Sequence, residues 1–185
     1  MALTRLGPNQ AVNLASNVTG TLPAANGGTG ATSFAPGKIL QVINATNGGN
    51  STANTTNTSF TTAETLGTTI TVTKGNKVLF FANSIQWKNT GTNNYNGVLR
   101  VSLSDGSNTA TTNEIILQNQ NASINVMRMY GTSHAGLLTT ASGSGTVAVT
   151  ATVQIKAENS SENHVYYGDT NTESSFAYTF MEISV

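Results

Sequence analysis

The chain has 185 residues, and its eight basic and eight acidic side chains give a formal net charge of zero. Charged residues make up 9% of the chain, against about 25% in an ordinary soluble domain. The basic residues are dispersed, so no basic stripe is available to neutralise nucleic-acid phosphates. Because there is no cysteine, disulfides, thiolate catalysis and cysteine-based metal sites are excluded.

The first 37 residues are predicted to form an extended arm. An uncharged run extends from Asn9 to Gly37 and contains Pro23 and Pro36 among several glycines. Proline restricts φ and glycine leaves it free, so neither a helix nor a central strand fits this run. The N-terminal residues lack a basic stretch followed by an apolar one, so we expect no signal peptide and synthesis in a cytoplasm. No stretch of about 20 apolar residues predicts a membrane span.

Residues 38–185 are predicted to form one β-domain. It opens with a short apolar run at 38–43, and residues 44–58 are expected to be a polar loop because Asn, Thr and Gly dominate them. Residues 68–73 alternate between apolar and polar side chains, which predicts a half-buried strand.

The next predicted strand, residues 77–87, is apolar on both faces over its first half. This pattern indicates a central strand or one that faces a partner subunit. One face is expected to hold Leu79, Phe81, Ile85 and Trp87, and the other Val78, Phe80 and Ala82.

The clearest alternation in the chain covers residues 146–156, where Val147, Val149, Ala151, Val153 and Ile155 should face one way. The Asp105-Gly106 pair is a strong turn signal. Further strands are predicted over 95–103, 114–117, 124–130 and 175–185. The total of about nine or ten short antiparallel strands at regular spacing predicts an all-β, jelly-roll-like sandwich.

The last predicted strand changes the phase of its apolar residues. Either a β-bulge shifts the phase, or both faces of the strand are covered. An arm without a core and a strand that is apolar on two faces both need partners, and a homotrimer supplies them economically. The residues expected at the oligomer interface are Phe176, Tyr178, Phe180, Met181, Ile183 and Val185.

Candidate catalytic groups are few. His134 follows Ser133 directly, so the two would point to opposite faces of a strand, and we expect His134 to be a turn or surface histidine. His164 could share a strand face with Glu162 and Tyr166, but nothing supplies a third metal ligand. No spacing singles out a pair of carboxylates for glycoside hydrolysis. We therefore expect a protein that is not an enzyme and that needs no metal or cofactor.

Carbohydrate binding is the more credible chemistry. Trp87 and Tyr95 flank a polar loop, and Tyr166 and Tyr167 lie near amide side chains. Aromatic rings stack on the apolar faces of sugars while amides bond their hydroxyls, so these four residues are candidate glycan contacts. The alternative for each of them is packing in the core or at the end of a strand.

The arm also carries a resemblance. Residues 20–30 read GTLPAANGGTG, and the stretch 13–37 resembles segments that recur in the fibre proteins of tailed bacteriophages. The opening MALT, the run GKILQV at 37–42 and the run YTFMEI at 178–183 resemble small virion proteins of cyanobacterial and marine phages.

The resemblance implies a β-rich homotrimer of the virion that attaches through its N-terminal arm, displays a C-terminal head and has no catalytic residue. Two roles follow. One is a tail fibre that contacts a host surface glycan, and the other is a capsid decoration (cement) protein or head fibre. No nucleic-acid partner and no membrane insertion are expected. The arm residues expected to make the attachment contacts are Leu14, Val18, Leu22, Pro23, Asn26 and Phe34.

Overall fold

The computed structural model describes residues 38–47, 51–89, 95–117, 131–161, 163–168 and 175–185. Residues 37–185 form one compact unit, whereas the predicted arm, residues 1–37, lies outside the described residues. The regular elements in the described part are all β-strands, so the all-β prediction is confirmed. They are β1 (Ile39–Asn47), β2 (Ser51–Thr55), β3 (Thr61–Thr65), β4 (Ile70–Thr73), β5 (Lys77–Asn89), β6 (Gly97–Ser104), β7 (Thr109–Thr111), β8 (Ile115–Leu117), β9 (Thr132–Thr139), β10 (Thr146–Ala157), β11 (His164–Gly168) and β12 (Phe176–Ile183).

The strands form two antiparallel sheets, and several strands that are consecutive in the chain act as one interrupted strand. In the first sheet, β12 and β11 pair with successive stretches of β5, and β1 and β2 pair with the far side of β12 and β11. Strand β9 pairs with the other edge of β5. In the second sheet, β3 and β4 share one edge of β10, and β7 and β8 share the far edge of β6.

This connectivity is that of a jelly roll. With β1–β2, β3–β4, β7–β8 and β11–β12 each taken as one strand, the first sheet has the order 1-8-3-6 and the second sheet the order 2-7-4-5. Two four-stranded antiparallel sheets joined in this way make the two Greek keys of that fold. The predicted jelly-roll-like sandwich is therefore confirmed. Four of its eight strands are each interrupted once, which is why the described part of the chain has twelve β-segments.

The core lies between the two sheets and is built from alternate residues of each strand. On β10, Val149, Ala151, Val153 and Ile155 are fully or almost fully buried, as the alternation predicted. On the first sheet, Phe80 packs against Phe180 with ring centroids 5.1 Å apart. The other aromatic contacts of this cluster run through Tyr178 and Phe176. Aromatic pairs at such distances add to the stabilisation from area burial alone.

Strand β12 keeps one alternation of inward and outward residues from beginning to end. This decides between the two predicted alternatives, a β-bulge in the strand and apolar residues on both of its faces. Alternate residues point inward, and the fourth inward position after the three aromatic residues is an acid, Glu182. No register shift occurs against β5, so a β-bulge is not the explanation. Both faces of β12 carry apolar residues. As a correction to the predicted oligomer interface, Phe176, Tyr178 and Phe180 are buried in the core of a single chain and present no surface to a partner.

Strand β5 does contain a bulge. Its register against β9 shifts between Ala82 and Ile85, and Ser84 within this stretch has φ of 64°. A bulged residue moves every following side chain to the other face. Consequently Ile85 is buried in the core with Phe80, and the predicted face shared by Phe81 and Ile85 is wrong.

The predicted polar loop at residues 44–58 is also wrong for most of its length. Residues 44–47 belong to β1, where Asn44 pairs with Thr179 and Ala45 with Tyr178. Residues 51–55 form β2, which pairs with β11. Asn has poor strand propensity, but Thr favours strands, and the ladder offered by an adjacent strand overrides the effect of the Asn residues.

Candidate functional site

The outward side of the first sheet carries an apolar row. The strand registers place Val42 beside Met181, Met181 beside Leu79, and Leu79 beside Leu137. The row therefore crosses β1, β12, β5 and β9. Val42 is 48% exposed and Leu137 is 49% exposed, while the two central side chains are partly exposed. We call the outward side of these four strands the first-sheet face.

Further apolar side chains flank this row. Phe81 is 37% exposed on one side of it, and Ile39 and Leu40 are 53% and 45% exposed on the other, with Ile183 beside Ile39. Since a large apolar side chain offers on the order of 150–200 Å² when fully exposed, the face presents roughly 400–500 Å² of apolar surface. The largest apolar patch of an ordinary monomer is about 300–600 Å² and is often a binding site. The first-sheet face is therefore a candidate docking surface.

The first-sheet face carries almost no charge. Among the described outward positions of its four strands, Lys77 is the charged one, and it lies at the margin, paired with Ile183 and Thr139. The remaining polar positions are uncharged residues such as Asn44 and Thr179, and the Thr179 hydroxyl donates a 2.7 Å hydrogen bond to Asn44 Oδ1. Such a face offers little to an anion or a cation.

The outward side of the second sheet is different, because it is polar and its charges are engaged. Arg100 donates a 2.9 Å hydrogen bond to Gln154 Oε1 and forms a 3.2 Å ion pair with Glu114. Its guanidinium carbon also lies 3.7 Å from the ring centroid of Phe60, a cation–π contact. Ile116 is 57% exposed on this side. The two outer sides of the sandwich therefore differ in kind.

Of the residues predicted at the oligomer interface, three remain accessible. Met181 and Ile183 lie on the first-sheet face, and Val185 is 84% exposed. That they contact another subunit stays a prediction. Leu79 and Phe81 were placed on one face of β5, with a partner subunit as one of two explanations, but they were not among the six expected interface residues. The contributions of β1 and β9 to the face were missed. The six predicted attachment residues of the arm lie outside the described residues.

The candidate glycan contacts are separated by the structure. Tyr166 is fully buried, so its ring has no face open to a sugar, which corrects the expectation for this residue. Tyr95 is 40% exposed and keeps its candidacy. Trp87 lies on β5 and Tyr167 on β11, but the side chains of both are outside the described part of the structure.

Tyr166 instead links the two sheets. Its hydroxyl donates to Glu64 Oε2 of β3 and accepts a 3.1 Å hydrogen bond from Asn47 Nδ2 of β1, while Asn47 also donates to Glu64 Oε2 at 2.8 Å. Burial and the hydrogen bond to Glu64 raise the pKa of Tyr166 well above its usual value. The phenol is therefore neutral, and its role is structural.

The structure also corrects the placement of His134, which is 1% exposed and lies on β9 rather than in a turn or at the surface. The hydroxyl oxygens of Thr132 and Thr112 lie 2.9 Å and 3.3 Å from its two ring nitrogens. Burial lowers the pKa of His134 from 6.5 to about 4, against an opposing effect of the Asn113 carbonyl. A neutral imidazole bonded to two hydroxyls is a satisfied core group.

Glu182 is a buried acid that the sequence analysis did not single out. Its carboxylate accepts hydrogen bonds from Asn76 Nδ2 at 2.6 Å, Gln41 Nε2 at 2.8 Å and the Thr73 backbone N–H at 2.9 Å. Burial acts to raise the pKa of Glu182, but these hydrogen bonds outweigh it and hold the pKa below its usual 4.5. The carboxylate thus joins β1, β4 and the turn before β5 to β12.

His164 is fully buried at the start of β11. Its ring lies against Gly97, where an added Cβ would be 2.4 Å from His164 Nδ1. Glu162, which was expected to share its strand face, lies outside the described residues. Within the described part of the chain, no group of three His, Cys, Asp or Glu side chains could hold a metal ion. Nor does that part contain a helix suited to crossing a membrane.

Comparison with known proteins gives little beyond this geometry. No family model matches the chain, and no curated protein matches it. Among solved structures, it is similar to a chain from the structure of the infectious bursal disease virus Gx strain, with a TM-score of 0.26 and 10% sequence identity. The match covers 78% of this chain and 40% of that chain, so this chain spans well under half of the other. The jelly roll is therefore established by the strand order and not by this match.

Proposed function

We propose that this chain is a non-enzymatic structural protein of a tailed-bacteriophage particle. In this proposal it is a homotrimer, the arm of residues 1–37 mounts it on other virion proteins, and the jelly roll of residues 38–185 is the displayed head. The observation that carries the proposal is the first-sheet face, since an apolar surface that crosses four strands and has one charge at its margin suits burial against protein. The resemblance of residues 13–37 to phage fibre segments supports the virion setting.

The role proposed first is a tail fibre that contacts a host surface glycan. Among the candidate contacts with a described side chain, Tyr95 supports it because its ring is partly exposed. A second candidate is a capsid decoration protein or head fibre. The burial of Tyr166 favours that role, because it removes one of the adjacent tyrosines from the glycan contacts. Neither role requires a metal, a cofactor, a membrane segment or a nucleic-acid partner.

The location and copy number of the protein in purified particles test the proposal. A small number of copies at the tail supports the fibre, and many copies spread over the head support decoration. Absence of the protein from purified particles would overturn both roles.

Deletion of residues 1–36 tests the arm separately. We expect a soluble head that no longer joins the particle, because the arm is the proposed mounting segment. Normal incorporation of the truncated protein into particles would show that the arm is not the attachment device.

A further inference from the structure

We propose that a second copy of this chain docks on the first-sheet face. The inference rests on the self-association in the proposed function but changes its symmetry. Two identical faces that cover each other are related by a two-fold axis, so the assembly expected from this face is a dimer and not a trimer. It replaces the six interface residues expected from the sequence with a face that crosses four strands and that includes Met181 and Ile183.

The chemistry of the face selects its occupant. The face is a sheet surface with an apolar centre and uncharged amide and hydroxyl groups around it. Two such surfaces pack face to face at about 10 Å with their side chains interdigitated. A second copy offers the same combination, so Leu79 and Met181 in the centre of one row would meet apolar side chains of the other.

Charge is also compatible with a second copy. The chain has a net charge of zero, and the charged residue of the described face, Lys77, lies at its margin. Like-charge repulsion between copies is therefore small. A nucleic acid would require a cluster of cations. A glycan would require exposed aromatic faces, and among the described side chains of this face Phe81 is the aromatic one.

The area of the face fits this occupant. Two copies that cover each other's face would remove roughly 800–1,000 Å² of apolar surface from water. The polar rim adds to this through Asn44, Thr179 and Thr139, which brings the total near the lower limit of about 1,200 Å² for a specific interface. An interface of this size lies at the weak end of specific associations, so the face alone supports a weak, concentration-dependent association.

Charge substitution on the two outer sides of the sandwich tests the inference with full-length protein. Leu137→Glu places a carboxylate in the apolar row, whereas Ile116→Glu places one on the outward side of the second sheet at a residue of similar exposure, 57% against 49%. Light scattering coupled to size-exclusion chromatography measures the number of copies. We expect Leu137→Glu to weaken self-association at least about tenfold, because an unpaired carboxylate would be buried, and Ile116→Glu to leave it unchanged.

Thermal unfolding of both variants checks that they remain folded. A folded Leu137→Glu variant with wild-type stoichiometry would overturn the inference, as would a monomeric wild-type protein. If Leu137→Glu proved unfolded, single-cysteine spin labels would decide instead, because the chain has no cysteine of its own. A label on Leu137→Cys should be immobilised in the oligomer and a label on Ile116→Cys should stay mobile.

The labels also separate the other occupants. Immobilisation at position 137 in a monomer would assign the face to residues 1–37 of the same chain and overturn the inference. A mobile label at position 137 in an oligomer would place the interface elsewhere. If the face mediates association but the protein is absent from virions, the proposed function fails while this inference stands.

Discussion

Replacement of Gly97 by alanine is expected to cause a large loss of stability. Gly97 begins β6, paired with Ala157 of β10 and Leu117 of β8. A Cβ at this position would lie 2.4 Å, 2.6 Å and 2.7 Å from three ring atoms of His164. Real Cβ contacts are ordinarily 3.4–4 Å, so the ring would have to move by about 1 Å. Because His164 is fully buried, it cannot swing into solvent.

Overpacking of a core typically costs about 1–3 kcal/mol, and this short contact places Gly97→Ala at the upper end, near 3 kcal/mol. For a chain of this size that loss corresponds to a decrease of roughly 6–12 °C in Tm. Urea unfolding measures the free energy directly, with protein concentration held fixed so that any oligomerisation does not contribute.

Gly67→Ala is the matched control, since a Cβ there has no atom within 4 Å. A Gly97→Ala variant as stable as Gly67→Ala would refute the reasoning. A second check combines Gly97→Ala with His164→Ala. The double variant should lose less stability than the sum of the two single variants, because the clashing ring is gone.

Two further predictions concern buried titratable groups. The unfolded chain protonates His134 below pH 6.5 whereas the folded chain resists protonation until about pH 4, so acidification across this window should reduce stability by up to about 3 kcal/mol. His134→Asn should reduce this pH dependence. If acidification shifted the urea midpoint equally in the variant and the wild type, the prediction would be wrong. Glu182→Gln should lower the free energy of unfolding by about 2–4 kcal/mol. The amide NH₂ group is a donor, and it would replace a carboxylate oxygen that now accepts hydrogen bonds from the surrounding donors. The exposed-pair control Glu114→Gln should cost less than about 1 kcal/mol, and similar losses in the two variants would count against the prediction.

Alternation of apolar and polar residues was enough to predict the class of the fold. Strand β10 shows why, since one side of it faces the core along its whole length and each inward position is apolar. The pattern contains no information about which strands pair. Jelly-roll strand order depends on contacts between distant segments, such as Asn44 and Thr179, which are 135 residues apart.

The errors in the sequence analysis have local physical causes. The bulge at Ser84 moves Ile85 to the inner face, and nothing in the sequence of this strand marks a serine for positive φ. Tyr166 was a candidate glycan contact and His134 was expected in a turn or at the surface, because both side chains are polar. In the core, Glu64 and Asn47 satisfy the Tyr166 hydroxyl, and the hydroxyls of Thr132 and Thr112 satisfy the His134 ring. The candidate docking surface was visible only in part, because its row is assembled from four strands that are distant in the chain.

The pairing of β1 with β12 has a consequence for how the protein is made. In the described part of the structure, β12 is the ladder partner of β1, and their bonded residues Asn44 and Thr179 are separated by 135 positions. At a synthesis rate of about 5–20 residues per second, a newly made β1 waits roughly 7–27 s for that partner. Throughout this interval it is a nine-residue strand without charge or proline, the type of segment that adds to a strand of a neighbouring chain. Nascent chains, rather than the finished sandwich, are therefore the form of this protein most prone to aggregate.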